Sequence, residues 1–255
     1  MKITIETFDE AKRSIIINPQ KGATKMNHKK ETGAPIFFDI ILDASGSMEK
    51  YFDILVQCVN SILIPALVNV SERQKNALRL GCLLFSKELI PAWIGFKTLE
   101  ELGSRPLRRE MFNKPGLGGS TTLYGAMKSA IIWTAASIEH MRETGRGEVP
   151  KGKIIVLTDG ANNNPPENGT SVNDSFNGLD EKAKRAFSNK GKNQKVIGYF
   201  NTDNGLNKEQ FETMAKVTGF EAKGFYDIAK GKTLEEKQKA FRHHFEMFSR
   251  AATDM

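Results

Sequence analysis

Cysteine and histidine, which most often mark redox, zinc and nucleophilic chemistry, are scarce: the 255 residues include two cysteines and four histidines. Cys58 and Cys82 fall in separate apolar stretches without metal-ligand spacing, and they read as buried thiols rather than a disulfide. His28 stands in a polar stretch, His140 near a helix end, and His243 and His244 in the last helical segment, so no histidine adjoins the acidic and hydroxyl motifs described below. No G-x-x-x-x-G-K-[ST] is present, which excludes a nucleotide-cradling loop of that type. Zinc-finger spacing and the aromatic–basic signatures of nucleic-acid modules are also missing. No uninterrupted apolar run reaches the roughly 18 residues that a membrane helix needs. The opening stretch, MKITIETFDEAKRSIIINPQ, lacks the apolar core of a signal peptide. The expectation is a cytoplasmic protein without membrane association.

What is present is ordinary for a globular chain: 39% hydrophobic and 26% charged residues. The length suits one full domain with an appended arm. The net charge of +7 is spread thinly, and short clusters such as Arg105, Arg108 and Arg109 read as a solvated face.

Residues 1–34 are expected to form an amino-terminal extension, with residues 2–8 and 13–18 as short strands and a polar, basic linker from Pro19. From Pro35 the pattern becomes regular. Ile36, Phe37, Phe38, Ile40, Ile41 and Leu42 form a near-continuous apolar run, as in a central strand covered on both faces. Phe52, Leu55, Val56, Val59, Ile62, Leu63 and Ala66 repeat at helical spacing, and Pro65 is expected to kink or end that helix. ALRLGCLLF and ELIPAWIGF read as strands, the second an antiparallel neighbour of the first. STTLYGAMKSAIIWTAASIEHM reads as a buried helix, KIIVLTDG as a buried strand, LDEKAKRAFSN as a helix and KVIGYF as a strand. NKEQFETMAKVTG is a helix with a glycine stop, and a last helix carries Leu234, Phe241, Phe245 and Phe248 on one face. Strands alternating with helices predict a doubly wound α/β fold, a mostly parallel central sheet with helices on both faces, over residues 35–255.

In such a sheet ligands bind at the carboxyl ends of the strands. There the first strand runs into Asp43, Ser45 and Ser47, whose alternate spacing lets three oxygen-bearing side chains converge, with Gly46 giving the backbone room to turn. KIIVL runs into Thr158 and Asp159, and GLGGSTT opens the alanine-rich helix. Every ligand on offer is oxygen, which favours Mg2+, Mn2+ or Ca2+ over zinc or copper. An Asp-x-Ser-x-Ser alone arises by chance in roughly one chain of this length in twenty, so the weight lies in the company it keeps. Asp39, if strand alternation holds, faces the interior and accepts a buried hydrogen bond.

These positions together make the chain resemble the von Willebrand factor type A domain and its metal-ion-dependent adhesion site. Asp43, Ser45 and Ser47 match the Asp-x-Ser-x-Ser element, Asp159 in LTDG matches the closing aspartate, and Thr121, two after Gly119, matches the threonine. A one-residue slip would give that role to Thr122. The resemblance covers residues 35 to 250 and implies that Ser45, Ser47 and Thr121 contact Mg2+, directly or through water, while the aspartates balance its charge. It further implies a partner protein that supplies an Asp or Glu to the metal, with no catalysis and no nucleic acid. Among relatives the chain looks most like small intracellular prokaryotic proteins of the tellurite-resistance type, which implies a signalling or stress-response complex. The polar loop ANNNPPENGTSVND is expected to form part of the rim. A metal-assisted hydrolase and a basic nucleoprotein-associated domain are the competing classes.

Overall fold

All eight residues of Ile36–Asp43 are buried, although two of them are aspartates. A strand covered on both faces must lie inside a sheet. In the computed structural model, which describes residues 9–11, 35–70, 77–104, 106–119, 121–144, 150–159, 181–187, 193–201, 207–228 and 233–253, this strand is the first of a six-stranded sheet. The strands are β1 (Ile36–Asp43), β2 (Leu78–Phe85), β3 (Leu89–Pro91), β4 (Lys151–Thr158), β5 (Gln194–Asn201) and β6 (Glu221–Asp227). Their spatial order is β3-β2-β1-β4-β5-β6, all parallel except β3, which runs antiparallel to β2. The architecture is the doubly wound α/β class, with β1 at the centre and paired along both edges.

Helices cover both faces. They are α1 (Phe52–Cys58), α2 (Ile64–Val70), α3 (Leu99–Leu102), α4 (Leu123–Thr144), α5 (Glu181–Ala186), α6 (Lys208–Thr218) and α7 (Leu234–Thr253). Strand alternation divides the core. Phe38, Ile40 and Leu42 of β1 meet Tyr51, Leu55, Val59 and Leu63 together with Phe241, Phe245 and Phe248 of α7. Ile41 meets Met127, Ile131 and Ile132 of α4 with Ile154 and Val156 of β4. The three α7 phenylalanines are fully buried, each a gain of roughly 1.5–3 kcal/mol by apolar burial.

Several expectations change. The helix does not end at Pro65. Val59–Leu63 form a π-helical turn in which the Ile64 N–H reaches back to the Val59 carbonyl, so the widened turn absorbs the proline and α2 continues. Despite its scattered polar residues, Gly46–Val68 is long and apolar enough by composition to cross a membrane, yet Met48, Tyr51, Leu55, Val59 and Leu63 are buried in the core. Leu234 does not join the apolar stripe; it is 49% exposed in the first turn of α7, beside the Thr233–Glu236 capping box. Strand β6 escapes the hydrophobic pattern because an edge strand needs only one partner, and EAKGFYD carries charge and glycine instead of an apolar run. The short helix α3 and the 3-10 turn Arg109–Asn113 were likewise not legible. Residues 2–8, 13–18 and the expected rim loop 161–174 lie outside the described residues. Residues 9–11 are helical, and Ala11 is buried in the α4 layer.

Gly198 in β5 shows how tightly α7 is seated: a Cβ there would stand 2.6 Å from ring carbons of Phe248. Gly198→Ala is expected to destabilise the fold by about 1–3 kcal/mol through overpacking, read as a lower urea midpoint. An unchanged midpoint would mean that α7 is free to shift away from the sheet.

Candidate metal centre

The carboxyl end of β1 is fixed before any side chain acts. The Ala44 N–H donates to the Phe85 carbonyl at 2.7 Å, and the Gly118 N–H donates to the Ala44 carbonyl at 3.0 Å. The glycine loop is thereby held against the turn that follows β1. Gly118 and Gly119 have φ of 86° and 84°, which side chains rarely adopt, and a Cβ on Gly46 would stand 3.6 Å from the Gly119 nitrogen. Ser86, just past β2, ties the loop down: its hydroxyl lies 3.2 Å from the Gly116 and Gly118 carbonyls. Its carbonyl accepts the Thr122 N–H at 2.8 Å and the Thr122 hydroxyl at 2.5 Å.

On this frame four of the five sequence-predicted residues form one hydrogen-bonded chain. Asp43 Oδ1 accepts the Ser45 N–H at 2.9 Å, and Oδ2 accepts the Thr158 hydroxyl at 2.6 Å. The Ser45 and Ser47 Oγ atoms are 3.0 Å apart, and the Ser47 hydroxyl donates to Asp159 Oδ1 at 2.8 Å. Asp43, Ser45 and Asp159 are buried, whereas Ser47 is exposed at the mouth. Thr121 stands outside this chain, buried on the loop that leads into α4. Thr122 is committed to fastening the loop to Ser86, which leaves Thr121 as the threonine not used for that purpose.

The electrostatics favour a cation. Burial holds the Asp43 carboxyl above its ordinary value, against the lowering effect of hydrogen bonds from Ser45 and Thr158. Ser47 spends its hydroxyl proton on Asp159, so the Ser45 hydroxyl is the donor between the two serines. A hard divalent ion on these oxygens would offset the burial of the carboxylates. Among the described residues no group of three or more His, Cys, Asp or Glu is placed to hold a metal. Hydroxyl ligands would therefore have to complete any site built on the two aspartates. Zinc or copper does not suit such a donor set.

Ser86 and the part played by Thr158 are the pieces that the sequence reading missed. A signal existed for both, since each polar residue follows or ends an apolar strand at the carboxyl edge of the sheet.

No known family's sequence profile matches the chain, and neither does any curated protein. Among solved structures the chain is similar to the pilus adhesin SpaC from Lactobacillus rhamnosus GG, with a TM-score of 0.52 at 12% identity over 86% of this chain and 31% of that one. The open conformation of the same adhesin gives 0.50 at 13% identity, covering 86% of this chain and 30% of that one. A von Willebrand factor type A protein from Catenulispora acidiphila gives 0.44 at 12% identity, covering 84% of this chain and 42% of that one. The chain thus spans about a third of the adhesin's length. At these identities the likeness to the adhesin establishes the fold, a mostly parallel α/β sheet between helical layers, and nothing finer.

Ser86→Ala would remove the hydroxyl that spans the Gly116 and Gly118 carbonyls. The expected cost is about 1 kcal/mol of stability, with faster amide exchange at Gly118 and Thr122. Exchange left at the wild-type rate would show that the loop is held without Ser86.

Proposed function

We propose that this chain is a binding module of the von Willebrand factor type A kind that docks a partner protein through a divalent cation, Mg2+ first, with Mn2+ or Ca2+ as substitutes. The observation that carries this reading is the chain Asp43–Ser45–Ser47–Asp159 at the adjoining carboxyl ends of β1 and β4. Ser45, Ser47 and Thr121 would hold the ion, directly or through water, and Asp43 and Asp159 would balance its charge. When bound, the ion offers an open or water-filled coordination position to a carboxylate. The attraction to a partner's Asp or Glu would grow as the interface excludes water.

The residues present do the rest of the work. Thr158 and the Ser45 N–H fix the orientation of the Asp43 carboxylate. Ser47, at the exposed end, is where a partner would meet the site. Gly46 and Gly119 leave the approach free of side chains. The site is read as one for binding and not for chemistry: no histidine joins its chain of carboxylates and hydroxyls among the described residues. An intracellular signalling or stress-response role is carried by the sequence resemblance alone.

Two measurements test the reading. In thermal unfolding, Mg2+ at 100 times its Kd should stabilise the wild type by about 2.7 kcal/mol. Asp43→Ala and Asp159→Ala should lose that shift while keeping the wild-type circular dichroism spectrum. Partner capture should depend on Mg2+, fail in EDTA and fail with Asp43→Ala. A partner retained equally under all three conditions would overturn metal-mediated docking, and unfolding of both alanine variants would make the site a structural staple.

A further inference from the structure

Asp39, four residues before Asp43 on the same strand, belongs to no site described above. Its carboxyl group is 1% exposed in the middle of the sheet. Oδ2 takes one long hydrogen bond, 3.4 Å from the Thr134 hydroxyl of α4, and Oδ1 has no partner among the described residues. The opposite residue on β2 is Gly81. A Cβ on Gly81 would stand 2.8 Å from Asp39 Oδ1 and 2.9 Å from a ring carbon of Phe96, so the glycine makes the space that the carboxyl group and the ring share. Phe96 packs edge-on against Phe37, with centroids 4.9 Å apart, and Ile138 of α4 closes the same cluster.

We infer that Asp39 is a proton-operated clamp: as a neutral acid it seats α4 against β1 and β2, and on losing its proton it loosens that helix and the Thr121–Thr122 loop at its start. A neutral carboxyl group tolerates an apolar cavity with a single weak donor, whereas an unpaired carboxylate does not. Burial accordingly pushes the Asp39 carboxyl from 3.8 up to about 7, against a small lowering by Thr134. Among the described residues, the charged and titratable groups on the surrounding elements give it no ion pair. Arg79 of β2 shares its face but donates to the Leu78 carbonyl, while Cys82 and, on β4, Lys153 fall on the opposite face by register. Lys97 follows Phe96, Asp43 ends β1 among its own donors, and Lys128, Glu139 and His140 of α4 are only partly buried.

The sign follows from where the proton sits. Unfolded, Asp39 ionises at its ordinary value; folded, it keeps its proton up to about 7. Between these points the native state binds the extra proton, so this group's contribution to stability falls as pH rises and levels off above about 7. Its effect on metal binding rests on the function proposed above, but the clamp does not, and both are separated by working in EDTA.

The experiment is urea unfolding of wild type and Asp39→Asn in EDTA from pH 5 to 8.5, with the carbon-13 shift of the Asp39 carboxyl followed over the same range. The ratio of wild-type to variant folding constants should drop up to about tenfold per pH unit below pH 7 and flatten above it. The carboxyl shift should titrate with its midpoint near 7, and amides in the first turns of α4 should exchange faster at pH 8 than at pH 6, after correction for intrinsic rates, in the wild type only. Thr134→Val, which removes the one donor to the ionised form, should move the titration to higher pH, and it serves if Asp39→Asn does not fold. A ratio constant across the range, or a carboxyl titrating near 4, would overturn the clamp. Normal titration with α4 exchange indifferent to pH would overturn its link to the loop.

Discussion

The structure depends on one constraint: β1 is hydrogen-bonded along both edges and covered on both faces, so its last residue has no freedom of position. Asp43 is that residue. Its carboxylate is placed by the strand and not by a flexible loop, and the neighbouring strand ends supply what surrounds it: Phe85 the acceptor for Ala44, Thr158 the hydroxyl for Oδ2. Parallel strands make this economical. Their carboxyl ends lie at one edge of the sheet, so residues 115 positions apart in the chain, such as Asp43 and Thr158, meet without a dedicated scaffold.

The two aspartates of β1 face opposite physical situations at similar depth. Asp43 lies where the sheet stops and the Ser45 N–H and the Thr158 hydroxyl reach it, a setting compatible with negative charge beside a cation. Asp39 lies where the sheet continues, with one weak donor and aromatic neighbours, a setting that favours the neutral group. Helix α4 touches both situations: Thr134 reaches Asp39, and the loop before Leu123 carries Thr121 and Thr122. The helix therefore joins the interior of the sheet to its carboxyl edge.

Legibility from sequence followed burial. The apolar runs of β1, β2, β4 and β5 and the alanine-rich α4 announce themselves because each is covered on most sides. The Asp43, Ser45 and Ser47 triplet was legible because alternation is a property of the local chain. The edge strand β6 was not, since half its partners are solvent. The π turn ahead of Pro65 was not, because it is a tertiary compromise between a proline and a helix already anchored by Leu55, Val59 and Leu63. Leu234 shows the limit of periodicity, which cannot see that a capping box starts the helix before its apolar stripe meets the core. Ser86 was missed because its one signal was its place just past the apolar run of β2, with no second polar residue at alternate spacing to draw attention to it.

The most direct measurement is an NMR titration of the wild-type chain with Mn2+, followed by competition with Mg2+. Paramagnetic broadening should strike the amides of Ser45, Ser47, Thr121 and Asp159 first, reverse on adding Mg2+, and be absent in Asp43→Ala. Broadening that begins elsewhere, or none at stoichiometric Mn2+, would contradict a cation held at the ends of β1 and β4.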